Sequence, residues 1–187
     1  MKKLVILILT TIFFIACKTP EARKPVSIKT GSFIDKSVAR NIKLNQEERN
    51  RIEQIIQNNP NNNYIASPNG FWYYYNTKIE NDTITPKFAD IVNFKYEIKD
   101  LNGKTIYSAK ELKTRDYAVD QEELFSGLRE GIKLMKAGET VTFIFPSQKA
   151  YGYYGDTNRI GTNIPLICKV TINKITQKRN ELTDEDF

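Results

Sequence analysis

Tyr151, in the run Lys149-Ala150-Tyr151-Gly152, offers a phenolic hydroxyl beside a flexible backbone. Just upstream, Leu124, Phe125, Leu128, Ile132 and Met135 recur at three- and four-residue spacing, the mark of one apolar helix face. An apolar face beside a tyrosine-bearing loop makes a small hydrophobic bowl with a hydrogen-bond donor on its rim. The chain has no histidine, which removes Ser-His-Asp and Cys-His nucleophilic mechanisms and the commonest metal ligand. Cys17 and Cys168 are its two cysteines, so neither a disulfide framework nor a Cys-rich zinc site is expected. Any chemistry is therefore expected to proceed without metal or a histidine base.

Several elements must position that bowl. Residues 124–135 read as a helix in which Gly127 and Gly131, one turn apart, lower helicity where another backbone has to approach closely. Ala137-Gly138-Glu139 turns the chain into a strand over residues 140–145, which Pro146 ends. Upstream, residues 91–98 and 105–107 are strands joined by the turn Asp100-Leu101-Asn102-Gly103, a hairpin signal. Residues 115–119 and 166–175 supply two more strands. One helix lying across an antiparallel sheet is an α+β fold. The aromatic block Phe71 to Tyr75 has strong strand preference, and it lacks the interleaved basic residues of a nucleic-acid stacking platform. Residues 152–161 look superficially like a phosphate-binding glycine loop, yet no lysine follows in the required pattern and no helix starts there.

At 187 residues the chain has room for one domain and an extension. Its 28 basic and 22 acidic side chains show no dense basic block, which fits a solvated surface better than a nucleic-acid footprint. Lys2 and Lys3 precede an apolar run over residues 4–16, the n- and h-regions of a secretory signal. Phe14-Ile15-Ala16-Cys17 resembles a bacterial lipobox, with Phe14 where leucine is usual, so residues 1–16 are expected to be a lipoprotein signal peptide and Cys17 the lipidated first residue. Lys18 lacks the acidic character of an inner-membrane retention signal, so the expected location is the outer membrane, facing the periplasm.

Residues 17–34 read as a flexible tether. Residues 35–63 read as a helix and an Asn-rich linker, the helix covering about residues 45–57 with 35 as its earliest start. Asn45 is its expected N-cap and Glu48 the capping-box partner. The apolar stripe Val38, Ile42, Ile52, Ile55 and Ile56 has two readings: packing on its own domain, or pairing with the same helix of a second chain to give a homodimer.

Three successive runs carry a family resemblance: residues 124–131 (LFSGLREG), 135–139 (MKAGE) and Ala150-Tyr151-Gly152. Together, over roughly residues 70–175, they resemble the FKBP-type peptidyl-prolyl cis-trans isomerases. Residues 69–77 (NGFWYYYNT) and 149–155 (KAYGYYG) are most similar to the gliding-motility-associated FKBP-type lipoproteins. The resemblance implies an antiparallel half-barrel sheet wrapped on the short helix, over residues 64–177, followed by a polar tail at 178–187. It also implies a membrane-anchored isomerase acting on proline-containing polypeptides, without cofactor, that assists folding of exported proteins and is linked to gliding motility. The implied substrate pocket comprises Phe94, Ile106, Tyr107, Leu124, Phe125, Leu128, Tyr151, Ile160 and Cys168, with the Tyr151 hydroxyl and the Phe125 backbone amide as donors to substrate carbonyls. Tyr107 replaces the aspartate of efficient members, Leu128 the floor tryptophan and Cys168 a phenylalanine, and Ile160-Gly161-Thr162 stands for Ile-Pro-Pro. These departures leave a second reading, a weakly active or inactive module that binds proline-containing segments.

Overall fold

The computed structural model describes residues 30–178. The expected signal peptide, the lipidation site Cys17, the tether up to residue 29 and the tail from 179 lie outside the described residues. Among the described residues, one compact unit begins at Arg40. In chain order the elements are α1 (Thr30–Asn58), β1 (Ile65–Ser67), β2 (Phe71–Thr77), β3 (Ile91–Lys99), β4 (Thr105–Tyr107), α2 (Ala109–Leu112), β5 (Arg115–Ala118), α3 (Ser126–Ile132), β6 (Thr140–Phe145), a 3₁₀ turn (Ser147–Lys149) and β7 (Leu166–Thr176).

The strands form one antiparallel sheet in the order β1-β2-β6-β7-β3-β4, and β5 also pairs with β3. β3 therefore carries β7 along one edge, while β5 and β4 share the other, β5 opposite Ile91 to Phe94 and β4 opposite Ile98 and Lys99. Strand alternation sends Phe71, Tyr73 and Tyr75 of β2, Val141, Phe143 and Phe145 of β6, and Cys168, Val170 and Ile172 of β7 into one core together with Leu128 and Ile132 of α3. This is the α+β arrangement expected from the sequence. The aromatic block of β2 is core and edge packing: Phe71 is buried and its ring lies 5.3 Å from that of Phe145.

Helix α3 sits close on the sheet for a steric reason. A Cβ on Gly127 would stand 2.5 Å from the Phe145 ring and 2.7 Å from the Lys149 carbonyl oxygen. At Gly131 the close neighbour is the Phe143 ring, at 2.9 Å from such a Cβ, so the backbone approach foreseen for both glycines occurs at the first. Phe125 is the N-cap of α3, with extended backbone. Met135 lies beyond the helix, still fully buried in the core. The turn into β6 is held by buried Glu139, whose carboxylate accepts the Ile79 and Lys136 N–H groups at 3.0 and 2.8 Å. Burial and this carboxylate together push the Tyr75 hydroxyl up to about 12.

The opposite face of the sheet is covered as well. Ile52, fully buried, packs with Ile144 and Leu101 against Ile55, Ile56, Tyr64, Trp72 and Ile167. Burying one such isoleucine stabilises by about 1.5–3 kcal/mol. The C-terminal part of the α1 stripe thus packs on its own domain, whereas Ile34, Val38 and Ile42 are more than half exposed. The expected N-cap at Asn45 is corrected: α1 begins at Thr30 and runs through Asn45 without a break. Glu48 does not fold back on its own helix; it accepts hydrogen bonds from Ser147.

Candidate active site

Phe125 and Tyr151 meet at the mouth of a cleft of about 620 Å³, their ring centroids 5.1 Å apart. Tyr96, Arg115, Leu124 and Arg129 line the same cleft, and residues 120–123 form its polar rim. Each wall has a local cause. Leu124 and Phe125 precede the first turn of α3, and the backbone of Phe125 is extended. The Phe125 ring leans on Phe145 at 5.4 Å, which fixes it from behind. Tyr96 points inward from β3 and stacks on Phe94 at 5.3 Å. Tyr151 stands at the start of the loop after the 3₁₀ turn.

Two residues of this cleft carry donors without hydrogen-bond partners among the described residues: Tyr151, through its hydroxyl, and Phe125, through its N–H. Burial, reinforced by the neighbouring Tyr96, pushes the Tyr151 hydroxyl well above the ordinary phenol range, so it stays protonated and can donate. Burial likewise raises Tyr96, with the adjacent Arg115 guanidinium pulling the other way. Arg115 is tied to Glu122 at 3.4 Å, and the Glu122 carboxylate also accepts the Ala118 N–H at 3.2 Å. Arg129 brings a buried Nε with no hydrogen-bond partner among the described residues.

The residues implied by the resemblance separate into three groups. Leu124, Phe125 and Tyr151 line the cleft. Phe94, Leu128, Ile160 and Cys168 are all buried and form the layer behind it. Ile106 and Tyr107 pack on the same core from beside the cleft, and Ile106 lines a separate hollow of about 490 Å³ with Arg159, Gly161 and Ile164. Burial drives the Cys168 thiol far above its ordinary range, so it serves as an apolar filler and not a nucleophile.

Tyr107 does a different job from a cleft wall. Its hydroxyl donates to Asp156, whose other carboxylate oxygen accepts the Asn158 and Ile160 N–H groups at 2.9 and 2.8 Å. Burial opposes the charge on Asp156, but these hydrogen bonds outweigh it and hold the carboxyl below its usual range. Arg159 lies over the Tyr107 ring at 4.8 Å and donates to the Ile106 carbonyl and to Glu111, at 2.9 and 2.8 Å. Gly155 closes the loop where no other residue fits, since a Cβ there would stand 2.1 Å from the Ile160 carbonyl oxygen at a φ of +67°. Tyr107 and Asp156 thus brace the loop that carries Tyr151.

Sequence reasoning missed Tyr96, Arg115 and Arg129. Strand alternation points Tyr96 inward on the same face as Phe94, and that was its one signal. It missed α2 as well, although Ser108 and Glu111 form a capping box visible as Ser-x-x-Glu.

Comparison with known proteins places this geometry. The family described as FKBP-type peptidyl-prolyl cis-trans isomerase matches residues 82–173. The probable FKBP-type peptidyl-prolyl cis-trans isomerase FkpA of Neisseria meningitidis serogroup B is 30% identical over 95 residues, 51% of this chain. The match spans only 35% of that protein's length. Among solved structures, the peptidyl-prolyl cis-trans isomerase of Pseudomonas syringae pv. tomato aligns with a TM-score of 0.59 at 18% identity, over 72% of this chain and 95% of that one. FkpA from Escherichia coli aligns with a TM-score of 0.58 at 19% identity, over 94% of this chain and 82% of that one. These two structures share the fold. The whole cleft lies within residues 82–173, the segment in which the chain matches the FKBP-type peptidyl-prolyl cis-trans isomerase family.

Proposed function

We propose that this protein is a peptidyl-prolyl cis-trans isomerase whose active site is the Tyr96, Leu124, Phe125 and Tyr151 cleft. The observation that carries the reading is the pair of donors without partners among the described residues, the Tyr151 hydroxyl and the Phe125 N–H, on the two residues whose rings meet beside Tyr96 and Leu124 inside a polar rim. Rotation about an X-Pro bond is opposed by a barrier of about 18–20 kcal/mol, because the planar amide must give up its resonance. Water stabilises that polar planar form. A water-poor aromatic cradle favours the less polar twisted state, and fixed donors on the flanking carbonyls hold the chain while the amide turns. Neither nucleophile nor ionisable base takes part.

A protease-coupled assay on a proline tetrapeptide tests this: cis-to-trans conversion faster than the uncatalysed rate is expected. Peptide binding without acceleration would instead favour a proline-binding module, which the full burial of Leu128 and Cys168 outside the cleft lining makes a specific rival.

The lipid anchor at Cys17, the outer membrane facing the periplasm, exported proteins as clients and a link to gliding motility belong to the same proposal. They rest on the residue 1–17 pattern and on the resemblance of residues 69–77 and 149–155. Cys17→Ser is expected to move the protein from the membrane to the soluble fraction; retention in the membrane would count against the anchor. Homodimerisation through α1 is supported by the exposed Ile34, Val38 and Ile42, and sedimentation of Ile42→Asp against the parent checks it.

A further inference from the structure

The carboxylate of Glu48 is buried, 4% exposed, with no cationic partner among the described residues. Burying an ionised carboxylate is costly unless donors satisfy it. Both of its oxygens end on one residue: Oε2 accepts the Ser147 N–H at 2.8 Å and Oε1 accepts the Ser147 hydroxyl at 2.6 Å. Ser147 is itself buried and opens the 3₁₀ turn, so Glu48 of α1 caps a helical turn that belongs to another part of the chain.

What Ser147 does next gives the contact its meaning. Its carbonyl accepts the N–H groups of Ala150 at 3.0 Å and of Gly152 at 2.9 Å, the two residues that flank Tyr151. The Gly152 carbonyl in turn accepts the Asn163 N–H at 2.8 Å, and the Ser126 hydroxyl reaches the Lys149 carbonyl at 3.4 Å. A short chain of hydrogen bonds therefore runs from Glu48 through Ser147 to the backbone on both sides of Tyr151. Glu48 also lies outside residues 82–173, the segment matched by the family, so the loop is held by a group from the extension.

We infer that Glu48 is a positioning residue for Tyr151, through which α1 sets the height of the tyrosine hydroxyl over the cleft. The inference rests on the proposed isomerase site and extends its machinery to the N-terminal helix. A displacement of about 1 Å in a positioned group can cost on the order of 100-fold in rate. Loss of the clip should thus act on turnover and not merely on folding.

The test compares Glu48→Ala, Glu48→Gln, Ser147→Ala and Ile52→Ala in the full chain, reading kcat and KM together with amide hydrogen exchange at Ala150, Gly152 and the β7 residues. Glu48→Ala is expected to lower kcat by about 2- to 10-fold, up to the cost of losing the Tyr151 hydrogen bond itself, with faster exchange at Ala150 and Gly152 and unchanged protection in β7. Glu48→Gln, which can still accept the Ser147 N–H and donate to its hydroxyl, should restore most of both. Ser147→Ala, missing one of the two bonds, should fall between and covers the case in which Glu48→Ala does not fold. Ile52→Ala loosens the same helix without touching the clip and should leave kcat of the folded protein near the parent value. The inference is overturned if loop exchange stays at the parent rate, if it rises while kcat is unchanged, or if Ile52→Ala reproduces both effects. Should the parent protein show no isomerisation at all, the enzymatic reading fails separately. Proline-peptide binding then replaces kcat: weakening in Glu48→Ala supports the positioning role, and equal affinity overturns it.

Discussion

In the proposed mechanism Phe125 and Tyr151 act through their N–H and O–H groups, both neutral at physiological pH. Removing the hydroxyl in Tyr151→Phe deletes one hydrogen bond worth about 0.5–1.5 kcal/mol, so kcat/KM should fall by about 2- to 10-fold. Phe125→Ala removes most of an apolar wall and should lower kcat/KM by about 10- to 100-fold. Unchanged rates in both variants would remove these residues from the site. The two were legible in the sequence because short motifs carry them, LFSGLREG and Ala150-Tyr151-Gly152. Tyr96 and Arg115 were not. Alternation along β3 says only that Tyr96 faces inward, and which inward side chains reach a cleft depends on the register shift between Asn93 and Phe94. Arg115 enters through its pairing with Glu122, a contact between residues that no periodicity links.

The small elements around the cleft are locks on its loops. One-turn α2 presents Glu111, whose carboxylate accepts the Ser108 N–H at 2.9 Å and meets Arg159 at 2.8 Å. The Ser108 backbone N–H, followed by Arg159, holds the Glu111 carboxyl down to about 2 from its ordinary 4.5. A depressed folded-state pKa means that the unfolded chain binds the proton more readily. The contribution is therefore fully present above about pH 4.5 and is lost as the pH falls toward about 2. Glu111→Gln is expected to flatten the acid limb of stability in that window; an acid limb identical to the parent's would show that the lock contributes nothing. Alternation revealed β3 and β7 well, because each buries one face into the core that holds α3, whereas β6 is buried on both faces and was bounded by its turn and by Pro146. α2 and β1 escaped notice because four and three residues are too few to show a period.

Across the whole molecule, the sheet is covered on both faces, by α3 on one and by α1 on the other. Helix α1 is where the sequence misled. The spacing Asn45-x-x-Glu48 looks like a helix start, yet the absence of Pro or Gly from residue 35 to 57 lets the helix continue through it, and Glu48 finds better donors at Ser147. The choice between self-packing and pairing was open because the stripe serves both sides: Ile52 is buried against the sheet, and Ile42 is exposed. Ile52→Ala should destabilise the domain by about 2–5 kcal/mol in denaturant unfolding; a change below about 0.5 kcal/mol would mean that α1 is not anchored there. The chemistry proposed for the cleft needs no titrating group, since Tyr96, Tyr107, Tyr151 and Cys168 are all shifted upward and stay protonated. The decisive measurement is the rate of cis–trans exchange of a proline tetrapeptide, followed by NMR exchange spectroscopy with the full chain between about pH 6 and about pH 9. Exchange accelerated at every pH, with a flat profile across that range, is the expected result. A bell-shaped profile, or exchange no faster than in the peptide alone, would contradict the view that aromatic walls with fixed neutral donors turn the amide.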